Sequence, residues 1–304
     1  MDSKFTKPKG FGEILDFTFT ISKKHFKDFF LILLILMGPV YLLEAVIQLF
    51  SGVHFFRGVG TGNGWFEKGL SSFAESGTFE ASSISADIGL IITAIVGFLL
   101  FPVAEAAVLF GVNHIRKDEE FSVAMVMKEA FSRFWPMLGS SILFGLITMG
   151  LILVPVGIIA AAGFGLAAIK HPLLGILSGL VLFLAFALVI GLLLTRWSFY
   201  FASVVLDRQS PGFSRSWRLT KKRTWPLLGL YIVFYLIISS ISFAVQVTLG
   251  VSLGNSVMLS IISNLVTILT TMFFSVGYAV MYLDLKTRHD ADDIKEMIED
   301  YHIN

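Results

Sequence analysis

An all-α, polytopic membrane protein is what this sequence predicts: six transmembrane helices arranged in three interfacial-helix-plus-hairpin units. Three observations carry the prediction. The first is composition: of 304 residues, 55% are hydrophobic and only 15% charged, with a mean hydropathy of +0.80, whereas a soluble domain is about a quarter charged. The second is run length, because several apolar runs exceed the ~20 residues a helix needs to cross ~30 Å of hydrocarbon. The third is charge placement. Lysine and arginine cluster from Lys4 to Lys27, from Arg116 to Arg133, from Arg208 to Arg223 and from Lys286 to Lys295, while the opposite side of the spans carries Arg57, Lys68 and Lys170. The positive-inside rule then puts both termini in the cytoplasm of a multi-pass cell-membrane protein.

Unit 1 takes residues 1–120. Phe11, Ile14, Leu15, Thr18 and Ile21 recur at helical spacing before Lys23, Lys24 and Lys27, the signature of a helix lying in the membrane plane. Span 1 is expected over about 29–50 and span 2 over about 88–113, joined by a Gly- and Ser-rich outer loop at 51–87. The first apolar run lacks a small-residue cleavage site, so a retained span is expected there rather than a signal peptide.

Unit 2 (121–209) opens on Ser122 as a helix cap, then Arg133-Phe134-Trp135-Pro136, where span 3 begins. The apolar stretches on either side of Lys170-His171-Pro172 each exceed one bilayer crossing. Tilt, projection beyond the bilayer, or a break at Pro155 or near Gly163 and Gly165 is expected. Unit 3 (210–285) begins at Ser210-Pro211, which reads as a helix start: a capping hydroxyl followed by a residue with no N–H to leave unpaired. Phe213, Trp217, Thr220 and Thr224 then share one face, and Arg215, Arg218 and Lys222 another. Span 5 runs from about 225 to 249, a tight turn covers 250–255, and span 6 runs from about 257 to 283. In the charged tail (286–304), Ile294, Met297, Ile298 and Tyr301 form a small apolar face suited to a short docking helix.

The repeat is carried by Trp135-Pro136 against Trp225-Pro226 and by Lys23-Lys24-His25-Phe26 against Lys221-Lys222-Arg223-Thr224. The even-numbered spans end alike, at Val112-Asn113, Leu206-Asp207 and Leu283-Asp284. Phe11-Gly12-Glu13-Ile14-Leu15-Asp16 and Phe213-Ser214-Arg215-Ser216-Trp217-Arg218-Leu219-Thr220-Lys221 resemble the corresponding stretches of bacterial six-span proteins, the membrane-domain family of glycerophosphodiester phosphodiesterases. In that family the membrane region is sometimes fused to a catalytic barrel. The barrel's His-Arg-Gly and acidic metal ligands have no counterpart here, so the resemblance implies a membrane architecture without the activity.

Candidate functional residues fall into two sets. Glu105 and Arg196 lie inside apolar runs, nine and eleven residues before His114 and Asp207. At 1.5 Å per residue, each is about 13–17 Å in from the cytoplasmic end, placed to pair between helices or to serve a carrier; Glu44, one turn from Gln48, is a weaker third. Trp135, Arg215, Trp217, Arg218, Lys222 and Trp225 are expected to anchor anionic lipid headgroups on the cytoplasmic side. The polar residues of span 5 (Ser239, Ser240, Ser242, Gln246) and span 6 (Asn264, Thr267, Thr270, Thr271) are expected to pack helices. The chain has no cysteine and six scattered histidines, and no nucleophile, metal or P-loop pattern occurs; glycines at 58–64 lack a following helix signal. No cofactor, metal or nucleic-acid partner is expected. The function expected is a non-enzymatic protein that binds lipid or a membrane protein partner and supports envelope integrity, stress resistance or complex assembly. The alternatives are a secondary transporter and a detached membrane domain of a phosphodiesterase-type enzyme.

Overall fold

The computed structural model describes residues 8–56, 84–168, 172–254 and 256–303, with the backbone alone beyond residue 289. Most of the expected outer loop, including the glycines at 58–64, and Lys170-His171 lie outside these residues. So do the side chains of the apolar face expected in the tail. Every regular element among the described residues is a helix: α1 (Phe11–Lys24), α2 (Phe26–Phe50), α3 (Ile84–Lys117), α4 (Val123–Ser132), α5 (Phe134–Ala168), α6 (Pro172–Trp197), α7 (Tyr200–Leu206), α8 (Phe213–Leu219), α9 (Thr224–Leu253) and α10 (Val257–Ile303). Six stretches are long and apolar enough to cross a membrane, namely Phe26–Phe50, Ile88–Lys117, Phe134–Ala161, Ile176–Leu206, Thr224–Gly250 and Val257–His289. The chain is a multi-pass helical membrane protein. Its contacts divide it into two compact units, one of Lys9–Ser132 with Ile232–Met281 and one of Arg133–Tyr231 with Tyr282–Asn304. One border falls between α4 and α5, and the other two fall inside α9 and α10.

In the first compact unit, α1 begins where the Glu13 carboxylate accepts the Gly10 N–H at 2.7 Å, satisfying one of the orphan donors of a helix start. It buries Ile14, Thr18, Ile21 and Ser22, so this amphipathic helix turns its stripe onto protein. α2 buries Phe29, Ile32, Leu33, Leu36, Met37 and Val40, a single stripe at helical spacing. α3 meets it with small side chains, among them Ala104, Ala106 and Ala107, all fully buried. Gly111 makes the approach possible: a Cβ there would stand 2.8 Å from the Phe29 ring. Close packing of small residues is what holds helices together where lipid removes the hydrophobic drive. α4 starts as expected, with Ser122 Oγ accepting the Met125 N–H at 3.3 Å. At the far end of α2, the His54 and Phe55 carbonyls accept the first N–H groups of α10, from Val257 and Met258, at 3.2 and 3.1 Å.

In the second compact unit, α5 runs unbroken through Pro155, Gly163 and Gly165, so of the tilt, projection or break expected there, the break does not occur. Proline removes one ladder bond, but in an apolar medium no water competes for the freed carbonyl and the flanking bonds hold. The tail also differs from expectation. Rather than a separate docking helix, it continues α10 as far as Ile303. No Gly or Pro interrupts it, and Arg288 Nε meets Asp284 Oδ2 one turn back at 2.8 Å. In the first compact unit, the turn between spans 5 and 6 is shorter than 250–255: α9 persists to Leu253, and Gly254 turns the chain with φ +56°. The paired Trp-Pro entries are structurally alike. Trp135-Pro136 and Trp225-Pro226 are each the second and third residues of their helices, and Met137 and Leu227 donate to Arg133 and Arg223 carbonyls at 3.1 Å in both. Proline is tolerated there because first-turn N–H groups lack intrahelical partners anyway.

Candidate functional site

The chemistry of the second unit centres on a break in its second long helix. A continuous helix would carry the Phe199 N–H to the Thr195 carbonyl and the Tyr200 N–H to the Arg196 carbonyl. Here the Ser198 hydroxyl takes the Thr195 carbonyl at 2.9 Å. Phe199 N–H donates to Ser216 Oγ at 3.1 Å, and that hydroxyl donates onward to the Arg196 carbonyl at 2.7 Å. Thr220 Oγ1 reaches the same carbonyl at 3.3 Å. Ser216 and Thr220 are both fully buried, so the Ser216 hydroxyl of α8, with that of Thr220 just beyond the helix, braces the backbone where α6 ends at Trp197. α7 restarts after the break, every residue from Tyr200 to Val205 buried.

The break falls within the fourth apolar stretch, Ile176–Leu206. Arg196 occupies the last turn of α6, at the break. The start of α8 departs from expectation. Its N-cap is Gly212, with φ +81° and no side-chain cap, and Ser210 instead lies 3.4 Å from the Ser140 hydroxyl. A Cβ on residue 212 would stand 2.4 Å from the Tyr200 carbonyl; glycine sits there for both left-handed backbone and close approach.

Beside the break is an open groove of about 430 Å³, lined by Val189, Leu192, Leu193, Arg196, Trp217, Lys222, Thr224 and Trp225. The Arg196 guanidinium lies over the Trp217 ring, 4.3 Å from its centroid, and its Nε donates to Thr224 Oγ1 at 3.3 Å. Neither contact uses the terminal Nη donors, which are the fork that recognises phosphate oxygens. Lys222 adds a second cation from an unusual backbone position, φ +71°. That left-handed conformation costs a side-chain-bearing residue about 1–2 kcal/mol relative to the right-handed region. Trp225 is 64% exposed at the rim. The groove thus has cations and a hydroxyl at one end, indoles at its edges and an aliphatic wall.

Arg215, expected beside these groups, is committed elsewhere. Its Nε pairs with Asp207 Oδ2 at 3.2 Å, while Lys286 Nζ holds Oδ1 at 2.5 Å and the Tyr282 hydroxyl donates to Oδ2 at 2.8 Å. Burial alone would raise the Asp207 carboxyl, but hydrogen bonds from Lys286 and Tyr282, with the charges of Lys286 and Arg215, hold it below the ordinary carboxylate range. Its side chain is 7% exposed. The cluster fastens α7, α8 and α10 within the unit, a structural role for Arg215 in place of the headgroup contact.

Of the remaining predicted residues, Arg218 is exposed on α8 and Trp135 is 77% exposed at the start of α5. Glu105 belongs to the first compact unit and Arg196 to the second. The neighbours of Glu105 in α3, Val103, Ala104, Ala106 and Ala107, are fully buried, and among the described residues no hydrogen bond or ion pair reaches its carboxyl. Glu44 accepts from Gln48 Nε2 and from Asn264 Nδ2, each at 3.2 Å. Sequence reasoning missed His114, whose two ring nitrogens face Glu119 at 2.7 Å and Glu129 at 3.2 Å, tying α3 to α4. It also missed Ser216, Thr220, Tyr282 and Lys286. Among the described residues no group of three His, Cys, Asp or Glu is placed to hold a metal.

Comparison with known sequences places the chain in a family. Residues 30–285 match the family described as a domain of unknown function, DUF7847, and the chain belongs to it. No curated protein matches, and no solved structure does.

Proposed function

We propose that this member of the DUF7847 family is a non-enzymatic protein of the cell membrane, both termini cytoplasmic, that binds the headgroup of an anionic phospholipid in the Arg196–Lys222 groove. On this reading it serves envelope integrity, stress resistance or the assembly of a membrane complex through its lipid. One observation carries the proposal: Lys222 is held in a left-handed backbone conformation beside Arg196, Thr224 and two tryptophans, above an aliphatic wall. Backbone strain of that kind clusters at functional sites. The arrangement has the polarity of a lipid at the interface, with phosphate against guanidinium and ammonium and acyl chain along Val189, Leu192 and Leu193. The clustering of lysine and arginine on this side of the spans supports the cytoplasmic assignment.

The test is Lys222→Gly. Glycine relieves the left-handed strain, so the variant is expected to unfold at a higher temperature while retaining several-fold less phosphatidylglycerol in native mass spectrometry. Equal retention would overturn the reading. A second reading, a carrier, is favoured by the unpartnered Glu105 carboxyl among fully buried neighbours. It requires Glu105→Gln to abolish proton-coupled solute flux in proteoliposomes, and unchanged or absent flux would remove it.

A further inference from the structure

A second site lies in the first compact unit, between α2 and α10. There a crevice of about 150 Å³ opens between helices, with Gly38, Tyr41 and Leu42 on one wall and Asn264 and Leu265 on the other. Asn264 on its wall donates from Nδ2 to Glu44 Oε2, and Gln48 Nε2 donates to Oε1, each at 3.2 Å, so the carboxylate beside the crevice is held by two neutral amides. Among the described residues no cation pairs with this carboxylate. A charged side chain within a span is costly until something neutralises it, and neutral amides at that length only partly do so.

Depth decides what completes the site. Glu44 is six residues, about 9 Å of helix, before α2 ends at Phe50, and the crevice wall continues away from that end to Leu34, about 15 Å deeper along the axis. A carboxylate near the headgroups with hydrocarbon-lined space below it complements a cationic headgroup bearing an acyl chain. We propose that this crevice binds an ammonium-bearing zwitterionic lipid, its amine on Glu44 and part of one chain against Gly38 and Leu42. The carboxylate repels an anionic headgroup, so the preference is opposite to that of the cationic groove, and the inference does not depend on that groove.

The experiment uses the full chain carrying Arg196→Gln and Lys222→Gln, so that the cationic groove does not contribute. It is placed in nanodiscs of equal phosphatidylethanolamine, phosphatidylcholine and phosphatidylglycerol with identical chains, and the lipid retained is counted by native mass spectrometry. Phosphatidylethanolamine is expected to exceed both others by about tenfold, as a charge-assisted hydrogen bond from a primary ammonium allows and a quaternary one does not. Glu44→Gln should abolish the preference, and Gly38→Leu should abolish retention by filling the crevice. Competition by soluble ethanolamine without dependence on Gly38→Leu would show a headgroup-only ammonium site and overturn the lipid assignment. Equal retention of the three lipids, or an unchanged preference in Glu44→Gln, would overturn the site; the first comparison needs no crevice variant to fold.

Discussion

The hairpin α2–α3 and the hairpin α5–α6 are similarly long and apolar, yet they are built differently. The most apolar stretches of the first pair are 39% and 50% buried within the protein, and those of the second pair are 6% and 0% buried. The first pair has a one-sided stripe of large residues on α2 facing alanines and Gly111 on α3. The second pair, though α5 and α6 pack on each other, buries little of its apolar surface, and the groups that fasten it to the rest of its unit gather at one end: the Ser216 and Thr220 hydroxyls at the helix break and the ions around Asp207. A helix packed along its length leaves little wall for anything else. A helix that buries little of itself presents its wall to lipid, and the cationic groove lies on such a wall, that of α6.

The largest effect that would break this contrast is at Asp207. Asp207→Asn strands Arg215 and Lys286 beside a neutral amide, and removing one partner of a buried ionic cluster costs about 3–5 kcal/mol. Reversible unfolding in detergent should show that loss, with no comparable loss from any single ion-pair substitution around α2–α3. The sign with pH follows from the depressed carboxyl. The native state holds Asp207 ionised more readily than the unfolded chain does, so its contribution is complete above the ordinary aspartate range. It fades as pH falls through that range and is gone below the native value. Asp207→Asn should remove that acid-side dependence; an unchanged acid transition would take the cluster out of the stability of the second unit.

Next come paired glycine substitutions. Gly111→Val forces a side chain into the Phe29 ring and should destabilise by about 1–3 kcal/mol. Gly150→Ala in α5 meets nothing within 4 Å of its new Cβ, and should be neutral or stabilising by up to about 1 kcal/mol, the helix preference of alanine over glycine. Equal losses at the two sites would erase the contrast between the hairpins. Ser216→Ala is a smaller perturbation, about 1–2 kcal/mol, because the Phe199 N–H and the Arg196 carbonyl both lose the Ser216 hydroxyl. Its signature is local: hydrogen exchange should quicken at Phe199 and not in α2. Least of all, Arg218→Ala should change stability by no more than about 0.5 kcal/mol, because its exposed side chain is outside both the ion cluster and the groove.

Much of the fold was legible because its causes are local. Apolar run length set the six spans, Ser122 capped α4 where a capping hydroxyl should, and the Trp-Pro pairs opened α5 and α9 at the same helix position. The site was legible only as a set of residue types. Arg196, Trp217, Lys222 and Trp225 were each singled out, but their meeting in one groove depends on the break after Trp197. That break is braced by Ser216, about twenty residues further along, and no apolar pattern near 197 reveals it. Arg215 read as a headgroup anchor because α8 is amphipathic, whereas Asp207 and Lys286, distant in sequence, claim it. Ser210-Pro211 has the composition of a helix start, but the left-handed backbone at Gly212 sets the boundary two residues later. Gly212 lacked a sequence signal stronger than Ser-Pro.

The most direct test of headgroup binding uses the groove's own tryptophans. Trp217 and Trp225 line it, and brominated acyl chains quench tryptophan on contact. In vesicles where a small fraction of brominated phosphatidylglycerol is diluted in phosphatidylcholine, and in vesicles with the labels exchanged, wild-type fluorescence is compared with Arg196→Gln/Lys222→Gln. The cationic groove predicts stronger quenching by the anionic lipid at equal mole fraction, and loss of the difference in the double variant. Quenching that follows mole fraction alone, with the same curve for both lipids and both proteins, would contradict it.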